Sequence, residues 1–150
     1  DSLSFNETDG EMHLMRKPIL WMGVKQITGD EIRIYTDPEK EITDSVRVLG
    51  NAFAISKADS LNLKDEFHQI KSKNMIVYMK NNAIDLAKAV GNAQAITYAD
   101  DTNQKTNEVT RVGVALSTCG EIVAGFIERK LEIVDCNIGA NSDIYQMKKK

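Results

Sequence analysis

Apolar and polar residues alternate along Ile32-Arg33-Ile34-Tyr35 and again along Ser45-Val46-Arg47-Val48. This is the period-two pattern of a strand with one buried face. Asn74-Met75-Ile76-Val77-Tyr78 and Thr110-Arg111-Val112-Gly113-Val114-Ala115-Leu116 are β-branched and apolar enough to be strands as well. Between such stretches lie short polar segments with turn chemistry: Asp9-Gly10 before Met12, Asp37-Pro38 before Ile42, Asn81-Asn82 before Ile84 and Glu128-Arg129 before Leu131. Glycine supplies positive φ and proline presets φ near −65°. The pattern predicts an all-β chain of hairpin-like units near 3–22, 30–56, 73–99 and 110–135, with no helix longer than about two turns.

One phrase occurs twice. Leu49-Gly50-Asn51-Ala52-Phe53-Ala54-Ile55-Ser56 returns 41 residues later as Val90-Gly91-Asn92-Ala93-Gln94-Ala95-Ile96-Thr97. A repeat of this kind marks one supersecondary unit used more than once, accidental similarity of ordinary hairpins being the alternative. Around Gly50-Asn51 the apolar phase slips, from even positions (Val46, Val48) to odd ones (Phe53, Ile55). A β-bulge at Gly-Asn would bend the strand and re-aim the side chains beyond it, so the phrase is expected to curve the sheet at equivalent points.

Two stretches fit the strand reading less well. Asp59 to Ile70 begins with a candidate N-cap and spaces Leu63, Phe67 and Ile70 nearly as a helix would, so a loop or one helical turn is allowed there. Ala83 to Val90 is alanine-rich, with helical propensity, but occupies a strand position of the repeat and is read as strand. Asp101 to Asn107 is polar throughout and reads as an exposed loop.

At 150 residues and 42% apolar content the chain suits one domain over 1–150. A domain of this size buries about 68–70% of its unfolded surface. The net charge of −3 arises from 19 basic and 22 acidic residues without a basic stripe, which argues against a nucleic-acid partner. Lys148-Lys149-Lys150 reads as a solvated tail. No run of 18 apolar residues exists to span a membrane as a helix. The first strand is already under way at residue 1, so a piece of a longer protein is expected. A start at Asp is compatible with removal of a leader. Cys119 and Cys136 are 17 apart and lack metal-ligand spacing, and no metal or cofactor is expected. They flank the last hairpin; a cross-strand disulfide and two buried free thiols both remain open, the hairpin's turn centre being displaced from their midpoint.

Lys17-Pro18-Ile19-Leu20-Trp21, Gln26 to Ile32, Leu49 to Ser56, Ala58-Asp59-Ser60-Leu61 and His68 to Met75 resemble the OstA-like family of periplasmic lipopolysaccharide-transport proteins, most closely its Bacteroidetes branch. The likeness covers roughly the first hundred residues and thins after Asn107. It implies a twisted, open antiparallel β-jelly roll, an apolar interior that shelters acyl chains, and stacking with other OstA-like domains through edge strands. It also implies a periplasmic setting and lipopolysaccharide or another acylated envelope lipid as partner. The motifs are structural and carry no catalytic residues.

An open curved sheet leaves an apolar trough, and covering apolar area is favourable by about 25 cal/mol per Å². The candidate lining residues are Ile32, Ile34, Val46, Val48, Phe53, Ile55, Val77, Ile96, Val112, Val114 and Leu116, with Val48, Phe53, Ile55 and Ile96 expected to point inward together. A solid core is the alternative for each. Two further functions stand beside lipid carriage. A structural or protein-binding envelope module needs no cargo. An enzyme needs a catalytic constellation, and His13 and His68 have no recognisable Ser or Cys partner pattern. Asp30-Glu31 and Asp100-Asp101 are neighbours that would point to opposite faces of a strand, so no enzyme is expected.

Overall fold

A computed structural model describes residues 2–6, 10–23, 25–57, 67–128, 130–137, 139 and 141–146. Eleven strands, and no helix, are present among the described residues: β1 (Ser2–Asn6), β2 (Glu11–Met15), β3 (Ile19–Met22), β4 (Lys25–Thr28), β5 (Glu31–Asp37), β6 (Ile42–Lys57), β7 (Phe67–Lys80), β8 (Ala83–Thr102), β9 (Val109–Ile127), β10 (Lys130–Asn137) and β11 (Asn141–Gln146). All pairings are antiparallel within one sheet of order β1-β2-β5-β6-β7-β8-β9-β10. The fold is an open antiparallel β-jelly roll built from successive hairpins.

Strand ends and kinks divide that sheet into two layers. β6 pairs with β5 through Ile42–Leu49 and with β4 through Phe53–Ile55. β9 likewise pairs with β10 through Glu121–Ile127 and with β11 through Gly113–Thr118. The first layer thus holds β1, β2, β5, β10 and the adjoining halves of β6–β9; the second holds β3, β4, β11 and the other halves. One core joins them, with Ile32, Val46, Val48, Met75, Val77 and Ile122 from the first layer and Ile27, Ala52, Ala93, Ala95 and Cys119 from the second.

The repeated phrase sits on the fold line between the layers. Gly50 and Asn51 have φ of 74° and 46°, and Gly91 and Asn92 have 88° and 48°. Leu49 pairs with Asn74 and Ala52 with Ser72, so β6 carries one extra residue. On β8 the extra residue falls between Val90, opposite Glu121, and Ala93, opposite Cys119. The two bulges are therefore equivalent, as the repeat predicts. Glycine is required at both: a Cβ on Gly50 would stand 2.5 Å from the Asp30 carboxylate, and one on Gly91 would stand 2.8 Å from Lys73 Cβ.

Several boundaries differ from the sequence reading. The segment 3–22 holds the β1–β2 hairpin and then β3, which starts a second hairpin with β4 beyond it, because Arg16 and Lys17 turn the chain at φ of 69° and 56°. The third unit begins at Phe67 rather than 73, so Phe67–Ile70 is strand where the sequence allows a loop or a helical turn. The rest of that ambiguous stretch, 59–66, lies outside the described residues. Ala83 to Val90 is strand, its helical propensity overridden by pairing on both sides with β7 and β9. The turns obey their chemistry. Asp37 Oδ1 accepts from the Glu39 and Lys40 amides at 2.9 and 3.3 Å. Asn81 and Asn82, at φ of 52° and 59°, make the two-residue turn that joins β7 to β8. Asn103 to Glu108 is an exposed loop closed by Asn103 N–H donating to Glu108 O at 2.8 Å.

Cys119 and Cys136 form a disulfide with a Cα–Cα distance of 5.7 Å. Cys136 is opposite Ile122 in the β9–β10 register, so the bridge runs diagonally rather than between directly opposed residues. That offset is why a midpoint count on the sequence leaves the pairing open.

Candidate functional site

A narrow apolar cleft of about 50 Å³ lies between the layers. The second layer contributes Ile27 from β4, Ala54 and Ser56 from β6, and His68 and Ile70 from β7. The first layer contributes Met75 and Val77 from β7, Ile84 and Ala87 from β8, and Phe126 from β9. Cross-strand register explains why these side chains converge. Ile27, Ala54, Ile70 and Ala95 form one row across β4, β6, β7 and β8, all on the inner face.

The cleft has a wider mouth. A pocket of about 470 Å³ lies between the β3–β4 turn (Met22, Gly23, Lys25) and the β7–β8 turn (Met79, Asn82, Ala83, Ile84). Lys25 and Ile84 border both spaces. The Lys25 ammonium lies 5.7 Å from the centroid of the Phe126 ring, a cation–π contact that draws β4 towards β9 across the interior.

Polar chemistry gathers on the cleft's far side. His68 Nδ1 accepts from the Tyr98 amide at 3.2 Å. Arg111, almost fully buried, pairs with the Asp100 carboxylate and places its guanidinium 4.9 Å above the Tyr98 ring. Burial lowers the His68 pKa below its usual value; the Arg111 charge adds to this and the Asp100 charge opposes it. The neutral ring with Nδ1 accepting carries its proton on Nε2. Ser56 is the cross-strand neighbour of His68, but an imidazole in this tautomer, oriented by a main-chain donor, does not present a base to it.

The other candidate acid–base groups are committed elsewhere. His13 Nε2 lies 2.6 Å from Glu11 and Glu31 is 2.6 Å from Arg33 Nε, all on strands of the first layer. Asp30 holds the Asn51 side chain at 2.9 Å. Among the described residues no group of three His, Cys, Asp or Glu is placed to hold a metal ion.

The eleven candidate lining residues divide into two groups. Ile32, Val46, Val48 and Val77 are 0–1% exposed in the first layer's inner face, and Ile34 packs against them. Val77 borders the cleft. Phe53, Ile55, Ile96, Val114 and Leu116 are half-buried and Val112 is 42% exposed. By register Phe53 joins Thr28 and Lys71, and Ile55 joins Gln26, Gln69, Ile96 and Leu116, in rows opposite to the inner row. Ile55 also borders the cleft. The expectation that Phe53 and Ile96 face the interior with Val48 is thus corrected, whereas Ile55, though in an outer row, reaches the border of the cleft. The inner positions after the bulge stay on even numbers in β6, and small Ala52 and Ala54 occupy them. The signal lies in the repeat itself: Ala-x-Ala supplies Ala52, at 0% exposure, and Ala93 and Ala95, at 0% and 1%, where two layers close on each other.

The arrangement defines a class: a single antiparallel sheet folded into an open jelly roll around an apolar interior, the LptA-like fold. The chain is similar over its whole length to 92% of the crystal structure of LptH, the LptA-homologous periplasmic component of the conserved lipopolysaccharide transport device from Pseudomonas aeruginosa, with a TM-score of 0.66 and 12% identity. No family model and no curated protein sequence matches the chain.

Proposed function

We propose that this chain is a non-enzymatic lipid-binding bridge module of lipopolysaccharide transport, working in the periplasm of a Gram-negative cell and akin to the Bacteroidetes branch of the OstA-like family. The observation that carries the reading is the apolar cleft between two layers that do not close into a barrel. An acyl chain entering by the mouth at Met22, Met79 and Ile84 would meet Ile27, Ile70, Val77 and Phe126, and would remove apolar area from water on both sides. Of the candidate lining residues, Val77 and Ile55 border the cleft, while Ile32, Ile34, Val46 and Val48 belong to the packed core of the first layer. The cargo is lipopolysaccharide or another acylated envelope lipid. The likeness to LptH supports the fold on which this reading stands.

A photoactivatable fatty-acid probe, with labelled residues mapped by mass spectrometry, tests it. Labelling is expected at Ile70, Ile84 and Phe126. Folded protein that takes no label, or takes it only on outward-facing residues, rejects the reading.

A second reading is favoured by the edges. β1 and β3 at one end of the sheet, and β10 and β11 at the other, each pair with a single neighbour among the described strands. Unpaired strand edges recruit other chains by main-chain hydrogen bonding, so stacking with further OstA-like domains accompanies lipid carriage or, in an envelope module without cargo, replaces it.

A further inference from the structure

The outer face of the second layer carries large apolar side chains among its polar ones. Ile19 and Trp21 on β3 are 57% and 65% exposed, while Leu20 and Met22 between and beside them pack on the core. Ile19 is opposite Thr28, which is opposite Phe53; Trp21 is opposite Gln26, which is opposite Ile55. The second of these rows continues through Gln69 and Ile96 to Leu116. Large apolar side chains therefore recur on four strands, β3, β6, β8 and β9, of a face that no described strand covers, with Thr28, Gln26, Lys71 and Gln69 between them on β4 and β7.

Charge is distributed as unevenly. The stretches 19–22, 25–28, 52–57, 67–73, 92–102, 109–119 and 141–146, which build this layer, contain five Lys or Arg and three Asp, in a chain with 22 acidic residues. Lys25 and Arg111 are turned inward on Phe126 and Tyr98, whereas Lys57, Lys71 and Lys73 are exposed. Among the described residues carboxylates stand at the layer's margins: Asp30 on the fold line, held by Asn51; Asp100 and Asp101 at the far end of β8, Asp100 being paired with Arg111; and Asp143 on the edge strand β11, where it is opposite Leu116 at the end of the second row. An exposed tryptophan beside exposed Ile19, with Phe53 two strands away, lysines on the same face and no carboxylate on the strands between, matches the interface of a bilayer carrying anionic head groups. We infer that this face docks on an anionic lipid surface, with Trp21, Ile19 and Phe53 entering the head-group region and Lys71 and Lys73 meeting its negative charge. This goes beyond the cleft and does not depend on what the cleft holds.

The chain has one tryptophan, so its fluorescence reports on this face alone. Mixed phosphatidylglycerol–phosphatidylcholine vesicles are expected to shift Trp21 emission to the blue, and brominated acyl chains to quench it, an effect that salt reverses. The double variant Lys71→Glu/Lys73→Glu, folded by circular dichroism, is expected to bind at least about tenfold more weakly, while Lys105→Glu on the exposed loop binds as wild type. No shift with anionic vesicles, or an equal shift with pure phosphatidylcholine, overturns the inference. So does a blue shift that grows with protein concentration without lipid, which would assign the face to a second copy of the chain.

Discussion

Asn74 Oδ1 accepts the Gly50 amide proton at 3.1 Å, and Asn74 is also the residue that β7 places opposite Val90, immediately before the second bulge. One asparagine on the strand between the two repeats thus stands beside both kinks. Its main-chain oxygen accepts from Ser72 Oγ at 2.7 Å, and on the other side of Gly50 the Asp30 amide donates to Gly50 O at 2.9 Å. Hydrogen bonds run along the fold line and satisfy main-chain groups that the bulge takes out of the ladder.

Replacing the glycines tests that line. Gly50→Val and Gly91→Val each force a β-branched residue into positive φ and into contact with Asp30 or Lys73. Each is expected to destabilise by on the order of 1–3 kcal/mol, and Asn74→Ala by about 1 kcal/mol. Urea midpoints measured at constant m-value decide it. Unchanged midpoints in both glycine variants would mean that the repeat has no backbone role.

The disulfide ties β9 to β10 beside the point where the chain leaves the first layer for β11. Free-thiol titration of the native protein is expected to find none. The double variant Cys119→Ser/Cys136→Ser is expected to lose about 3 kcal/mol for a loop closed over a separation of 17 residues. A melting temperature equal to that of the oxidised wild type would show that the crosslink does not constrain the unfolded chain.

Acid sensitivity near neutrality should trace to His68. Burial first, then Arg111, depresses its folded pKa below the unfolded value of about 6.5. Between those two values the unfolded chain binds the extra proton, so stability rises with pH there; the contribution is complete above about 6.5 and is lost as pH falls through the folded pKa. Unfolding midpoints from pH 8 down to pH 5 should decline, and His68→Gln should flatten the decline. A wild-type profile that stays flat over this range would contradict the depressed pKa.

Much of this fold is legible in the chain because hairpin signals are local. Asp37-Pro38, Asn81-Asn82 and the Gly-Asn pairs each act on residues one or two positions away, and all occur at turns or bulges in the structure. The side assignments after the bulges are less accessible. A bulge by itself exchanges the two faces of a strand, which points Phe53 and Ile55 inward. Here the kink also carries β6 from one layer to the other, and two left-handed residues in succession return Ala52 and Ala54 to the interior. Size then decides which residues the closed side can hold. Alanine pairs fit there, and that preference becomes visible only when the second layer is known to approach. The same reasoning covers Cys136, whose bond depends on a diagonal offset, and Lys25, whose Phe126 partner is distant in sequence.

The corrected orientation separates two substitutions at neighbouring positions. Phe53 lies in the outer row with Thr28 and Lys71, so Phe53→Asp adds a solvated carboxylate outside the cleft. Ala54 lies in the inner row between Ile27 and Ile70 and lines a space of only about 50 Å³, so Ala54→Leu fills it. Overpacking of this kind costs about 1–3 kcal/mol, which leaves a folded protein to assay. Displacement of a fluorescent fatty acid is therefore expected to weaken at least about tenfold in Ala54→Leu and to stay within about twofold of wild type in Phe53→Asp, roughly 1.4 kcal/mol separating a tenfold change. The reverse order would put the acyl chain on the outer face. Equal, undiminished binding in both variants would place it somewhere other than between the layers. Either result counts against the cleft, because only a chain lying among Ile27, Ala54, Ile70 and Val77 distinguishes these two positions.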